Sequence, residues 1–212
     1  HKGYLVFSLE YRLAPKATIF QQFDDVCSGM DLVGQMLVDY DVDFGRIFLV
    51  ADSAGAYLGA YVVAMHNSVK LQKAIDRRPS RMTFKAVGFI SGMFYTKKAL
   101  EDQVFGERRG DEELLKFMHI EHPEIVNNLP PVFMLTSCGD SFNNYSIRFN
   151  KVLKKAGRAS KLVYFGNEEL MHIFPIMNPG HPKSIEGTDK MLSWFEEQAD
   201  LYRHRGERDA AD

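Results

Sequence analysis

Apolar residues in this chain arrive in two rhythms. Five short runs are almost continuously apolar, rich in β-branched and aromatic residues and bounded by turn formers: Tyr4–Leu9, Arg46–Val50, Lys85–Ile90, Val132–Thr136 and Lys161–Phe165. Each has strand character, and hydrophobicity without clean alternation suits strands buried on both faces of a parallel sheet. Between them the apolar period lengthens. Val26, Met30, Val33 and Leu37 make one stripe, and Leu58, Val62, Met65 and Val69 make another, each at helical spacing. Ile147 and Leu153 belong to a helix ending at Lys155-Ala156-Gly157, where basic residues and then glycine mark a C-terminus. Leu192, Phe195, Ala199 and Tyr202 mark a last amphipathic helix, and 203–212 reads as a charged, frayed tail. Strand alternating with helix predicts an α/β fold, a mostly parallel sheet flanked by helices. The interval 92–128 breaks the alternation with scattered aromatics and a charged stretch, and reads as an irregular surface excursion with a short helix near Glu112–His119.

Composition narrows this picture only slightly. A length of 212 residues suits one α/β domain over 1–212. The 45% apolar and 25% charged content is that of an ordinary globular protein. A formal charge of −2 gives no electrostatic reason to expect nucleic acid or an anionic membrane as partner. No apolar run approaches the ~20 residues of a membrane span, and the N-terminus has no secretory pattern. Two cysteines, Cys27 and Cys138, do not make a disulfide framework, so a reducing, cytoplasmic setting is expected.

The candidate chemistry begins at Ile47–Ala56. An apolar strand runs to Ala51, Ser53 follows two residues later, and a helix rich in small residues starts at once. A nucleophile elbow needs this arrangement, because residues two before and two after the serine must be small for the turn to close. Here they are Ala51 and Gly55. The serine hydroxyl then stands at the N-terminus of a helix, where unpaired N–H groups favour negative charge. The Ala54 N–H is the candidate oxyanion donor. Asp52-Ser53 alone would also serve as an ordinary helix cap; the strand before it and the helix after it favour the nucleophile.

A serine hydroxyl attacks only if a histidine takes its proton and an acid orients that histidine. Such an elbow predicts the chain order serine, acid, histidine, with the acid just after a later strand. Asp140 follows the run Val132–Thr136, and His172 follows Lys161–Phe165, so all three fall at the carboxyl edge of the sheet, where open α/β sheets hold ligands. Asp140 is also a natural turn residue after Gly139, and Glu168 and Glu169 are rival acids on the histidine's own loop. His181 lies in a turn-like Pro-Gly-His-Pro. His119 and His122 have the spacing of a metal pair, but Pro123 follows and no third ligand is evident. No metal and no cofactor are expected. Phe94, Tyr95 and Phe105 are candidates for an acyl pocket or for plain packing.

With these residues in place, the sequence resembles the hormone-sensitive-lipase-like branch of the α/β-hydrolase esterases. Four motifs carry the resemblance: Tyr11-Arg12-Leu13-Ala14-Pro15, Asp52-Ser53-Ala54-Gly55, Leu129-Pro130-Pro131 before the acid strand, and His172-Ile173-Phe174. The resemblance implies a serine carboxylesterase acting on small acyl esters, with Ser53, Asp140 and His172 as triad and a structural role for Tyr11–Pro15. Alternatives on the same fold are a non-catalytic ligand-binding protein, or an amidase or peptidase. Two departures are Ala51 and Ile173, where the family carries glycine. A third is that the family's His-Gly-Gly-Gly loop, which supplies oxyanion donors, and its first strands lie upstream of the motifs found here. The natural protein is therefore expected to be longer, and the Tyr4–Leu9 strand either to leave a gap in the sheet or to move inward and pair.

Overall fold

The computed structural model describes residues 2–96 and 103–209, with side chains through Leu201 and at Arg203. Residues 97–102 of the irregular interval and 210–212 of the tail lie outside the described residues. Four parallel strands, β1 (Phe48–Asp52), β2 (Ala86–Ile90), β3 (Val132–Ser137) and β4 (Ser160–Phe165), lie side by side in chain order. The ladders pair Asp52 with Ile90, Ile90 with Leu135, and Leu135 with Val163, so the strands finish nearly level. That common edge carries the candidate residues.

Four of the five strand readings hold. Every residue of β2 and β3 is buried, as continuous apolar runs require when both faces are covered. Alternate side chains still part company. Val87, Phe89, Val132 and Met134 join a core with α1 (Ile19–Met36), α2 (Ser53–Asn67) and α6 (Asn143–Lys155). Ala86, Ile90, Phe133 and Leu135 face α8 (Pro182–Asp209) through Met191, Trp194 and Phe195. On that second face Gly88 sets the spacing. A Cβ there would lie 2.5 Å from the Met191 sulfur and 2.9 Å from the Phe195 ring, so only glycine lets the helix approach.

The fifth run, Tyr4–Leu9, forms no strand and does not pair inward, and among the described residues β1 has a ladder partner on its β2 side alone. Its side chains bridge the two faces beside β1 instead. The Tyr4 hydroxyl bonds Glu196 of α8 and its ring meets Phe48 edge-on. Leu9 packs over Gly29 of α1, and Arg12 then grips Asp25 through Nε and Nη2. β-branched and aromatic content favours an extended chain, but a ladder also needs a backbone partner within reach.

The helices also depart from the stripes in places. In α2 every residue from Ala56 to Met65 is buried, so the helix is enclosed rather than amphipathic. Val69 starts a separate helix, α3 (Val69–Ile75), and is exposed. Part of the enclosure comes from the 92–128 interval, whose described apolar residues enter the core rather than lie on the surface. Phe94, Phe105, Leu114, Met118, Ile120 and Ile125 all enter the first core. Its helices α4 (Glu112–Phe117) and α5 (Pro123–Val126) cover α2, whose Tyr57 and Tyr61 hydroxyls donate to the Met118 and Phe117 carbonyls at 2.9 Å each. At α6 the expected stop holds, with Gly157 left-handed at φ 69°. The last helix, α8, runs on to Asp209, so residues 203–209 extend it rather than fray; Arg203 reaches Asp43 at 3.2 Å. No helix among the described residues is long and apolar enough to cross a membrane.

Candidate active site

β1 ends at Asp52 and α2 begins at Ser53 with no residue between them. Asp52 is extended, whereas Ser53 has φ 47°, in the left-handed region. That conformation costs a non-glycine residue about 1–2 kcal/mol, and it swings the hydroxyl clear of the sheet. The extra methyl of Ala51 is absorbed by Gly59, where even an added Cβ would stand 3.4 Å from it. At Gly55 the turn is less tight than a sharp elbow suggests, since the nearest group to an added Cβ, outside the helix itself, is the Tyr11 hydroxyl at 3.8 Å. Burial, and then the Asp52 charge, push the Tyr11 phenol up.

The acid loop leaves β3 at Ser137 and turns through Cys138 and Gly139. A Cβ on Gly139 would fall 2.6 Å from the Glu169 carbonyl carbon, so the acid loop and the histidine loop touch backbone to backbone. Asp140 is 1% exposed. Its Oδ2 accepts from the Thr136 hydroxyl at 2.6 Å, and its Oδ1 from the Phe142 N–H at 3.0 Å. Burial pushes the carboxyl up, but Thr136, Phe142, His172 and the Ser91 hydroxyl together hold it below the ordinary aspartate value. Because the folded value is lowered, the stabilisation Asp140 supplies is present above the ordinary aspartate pKa. It is lost as pH falls through the lowered one.

His172 lies on the loop between β4 and α7 (Phe174–Met177), which Ser137 ties down by donating to the Leu170 carbonyl at 2.7 Å. Its Nδ1 stands 2.8 Å from Asp140 Oδ1 and its Nε2 2.9 Å from Ser53 Oγ. A carboxylate can only accept, so Nδ1 carries the proton and Nε2 is left to accept from the serine. The Phe142 ring meets the imidazole edge-on at 5.2 Å, and about a third of the imidazole side chain (32%) remains open. Ser53, His172 and Asp140 thus form one hydrogen-bonded row. Ala54 follows Ser53 in the first turn of α2, where N–H groups have no partner within the helix. The Met93 N–H is already used, donating to the Ser53 carbonyl at 2.9 Å.

Other candidates have different employment. Phe94 and Phe105 are core residues, 1% and 2% exposed, and not walls of a pocket. Tyr95 donates to Glu121 at 2.7 Å. His122 caps α5, its Nδ1 accepting the Glu124 N–H at 3.1 Å, and His181 does the same for Lys183. Cys27 and Cys138 are free thiols. Three residues of the site carried no warning in the sequence. Thr136 closes an apolar run and reads as strand, Phe142 reads as loop, and Ser91 follows β2 as an ordinary turn former.

A family model described as alpha/beta hydrolase fold matches residues 1–175. A probable isoprenylcysteine alpha-carbonyl methylesterase of Oryza sativa subsp. japonica is 28% identical over 78% of this chain and 43% of its own length. A second rice protein of that description is 24% identical over 90% of this chain and 50% of its own. This chain therefore spans about half the length of the curated relatives it matches. Neutral cholesterol ester hydrolase 1 of Mus musculus is 35% identical over a shorter stretch, 34% of this chain and 20% of that protein. Among solved structures, esterase B from Lactobacillus rhamnosis superposes with a TM-score of 0.78 at 20% identity, over 93% of this chain and 67% of that one. An esterase from the bacterial hormone-sensitive lipase family gives 0.62 at 16%, over 90% and 64%. At these identities the structural likeness is one of fold.

Proposed function

This chain belongs to the alpha/beta hydrolase fold family, and on that footing we propose that it is a serine carboxylesterase that hydrolyses small acyl esters through an acyl-enzyme. The observation that carries the reading is the row Ser53–His172–Asp140, with 2.9 Å and 2.8 Å between its members. As the Ser53 oxygen bonds to the ester carbonyl carbon, its proton passes to His172 Nε2. The carbonyl oxygen takes up negative charge and turns toward the Ala54 N–H. The tetrahedral intermediate collapses, the bond to the alkoxy oxygen breaks, and His172 returns the proton to the departing alcohol. Water then repeats the sequence on the acyl-Ser53 ester, with His172 first as base and then as acid. Asp140 stays ionised throughout, holding the Nδ1 proton and offsetting the charge of the imidazolium. No step calls for a metal or a cofactor. The relatives' descriptions as esterases favour ester over amide leaving groups.

The experiment is covalent labelling. A short-chain alkyl organophosphonate should add once, at Ser53, as read by mass spectrometry of the proteolysed protein. Prior denaturation should abolish the adduct, because the hydroxyl is reactive only beside His172. A folded protein that takes no label, or takes it on another residue, would end the nucleophile assignment.

A further inference from the structure

We infer that Ser91 is a positioning residue of this active site, a buried hydroxyl that holds the histidine loop in place beside Ser53. The inference rests on the roles proposed for Ser53, Asp140 and His172. Ser91 stands one residue beyond β2, the strand between the one that carries Ser53 and the one that leads to Asp140. It is 0% exposed, and its N–H is spent on the Leu135 carbonyl at 2.9 Å, which pins it to β3. Its hydroxyl accepts the Ile173 N–H at 3.0 Å, and it is among the groups that hold the Asp140 carboxyl below its ordinary value. The oxygen therefore ties the end of β2 to the residue directly after His172.

The backbone supports the same conclusion. Ser91 has φ 50° and Ile173 has φ 50°, both left-handed. Glycine is the low-energy choice at such positions, so the side chain at 91 is held there at a conformational cost. What that side chain contributes is the hydrogen bond to the Ile173 N–H. Without it the acid loop and the histidine loop would keep the Ser137–Leu170 and His172–Asp140 bonds and the Gly139 contact. None of these holds the backbone on the far side of His172. A displacement of about 1 Å at the imidazole is enough to cost roughly 10²-fold in turnover.

The test uses Ser91→Gly and Ser91→Ala beside Ser53→Ala, assayed on p-nitrophenyl butyrate with melting temperatures recorded for each. Ser91→Gly relieves the left-handed backbone, so it removes the hydroxyl without adding strain. Both Ser91 variants should lose about 10- to 100-fold in kcat with KM within about twofold. Phosphonate labelling of Ser53 should slow in parallel, and melting should change far less than kcat. The inference is overturned if Ser91→Gly turns over at the native rate, or if the loss falls on KM or tracks melting across the two variants. Should Ser53→Ala itself keep native turnover, the functional reading fails and this inference with it. A dead Ser53→Ala beside a fully active Ser91→Gly would remove the positioning role alone.

Discussion

Ser53→Ala should lower ester turnover by roughly 10⁴-fold or more, and His172→Ala by a similar factor, while the double variant should lose little beyond either single one. The expectation follows from the row of hydrogen bonds. The Ser53 hydroxyl is a weak nucleophile unless His172 Nε2, 2.9 Å away, takes its proton as the new bond forms. Remove the oxygen and the base has nothing to activate; remove the base and the oxygen keeps its proton. Two residues that act in one step cannot have additive losses. Rates on p-nitrophenyl butyrate, taken per mole of protein shown to be folded by circular dichroism, make the comparison. Losses that multiplied in the double variant would mean that Ser53 and His172 work independently, contrary to the geometry.

Asp140→Asn should cost about 10³–10⁴-fold in kcat while leaving the fold intact. Asparagine has nearly the shape of aspartate, and its carbonyl oxygen can still accept from Thr136 or from the Phe142 N–H. It can, however, turn its NH₂ toward His172 Nδ1. The imidazole proton would then move to Nε2, and the nitrogen facing Ser53 would no longer accept. The substitution also removes the negative charge that offsets the imidazolium formed during attack. Kinetics together with a crystal structure or ¹⁵N NMR of the variant would separate a wrong tautomer from a displaced ring. Turnover within tenfold of the native value would sink Asp140 as the orienting acid and return attention to Glu168 and Glu169.

How far the site was legible in the chain depends on how local each signal is. The turn at Ser53 is written in neighbouring residues: an apolar run, small residues on either side, then a helix. Asp140 and His172 could be placed because each follows a strand, and parallel strands bring their carboxyl ends to one edge. Ser91 and Thr136 could not, because a buried hydroxyl that meets a polar group of a loop leaves no periodic trace. Tyr4–Leu9 misled for a related reason. Its composition reports a liking for extended backbone, and nothing local reports whether a ladder partner lies beside it. The 92–128 interval misled by its charges, Glu107 to Glu113, which solvate its outer side. Apolar residues irregularly spaced along it, among them Phe94, Phe105, Met118 and Ile125, go inward to the core that holds α2.

The left-handed backbone at Ser53 sets heat resistance against chemistry. Alanine placed there keeps the unfavourable φ, whereas glycine escapes it and gives back part of the gain through a freer unfolded chain. The net advantage of Ser53→Gly over Ser53→Ala should be about 1 kcal/mol, or roughly 2–4 °C in melting temperature for a chain of this size. Equal melting of the two inactive proteins would mean that the turn holds no such reserve. If the difference is found, a library screened for survival of heating alone would drift toward glycine at position 53. The protein would become sturdier by discarding the group it was built to display.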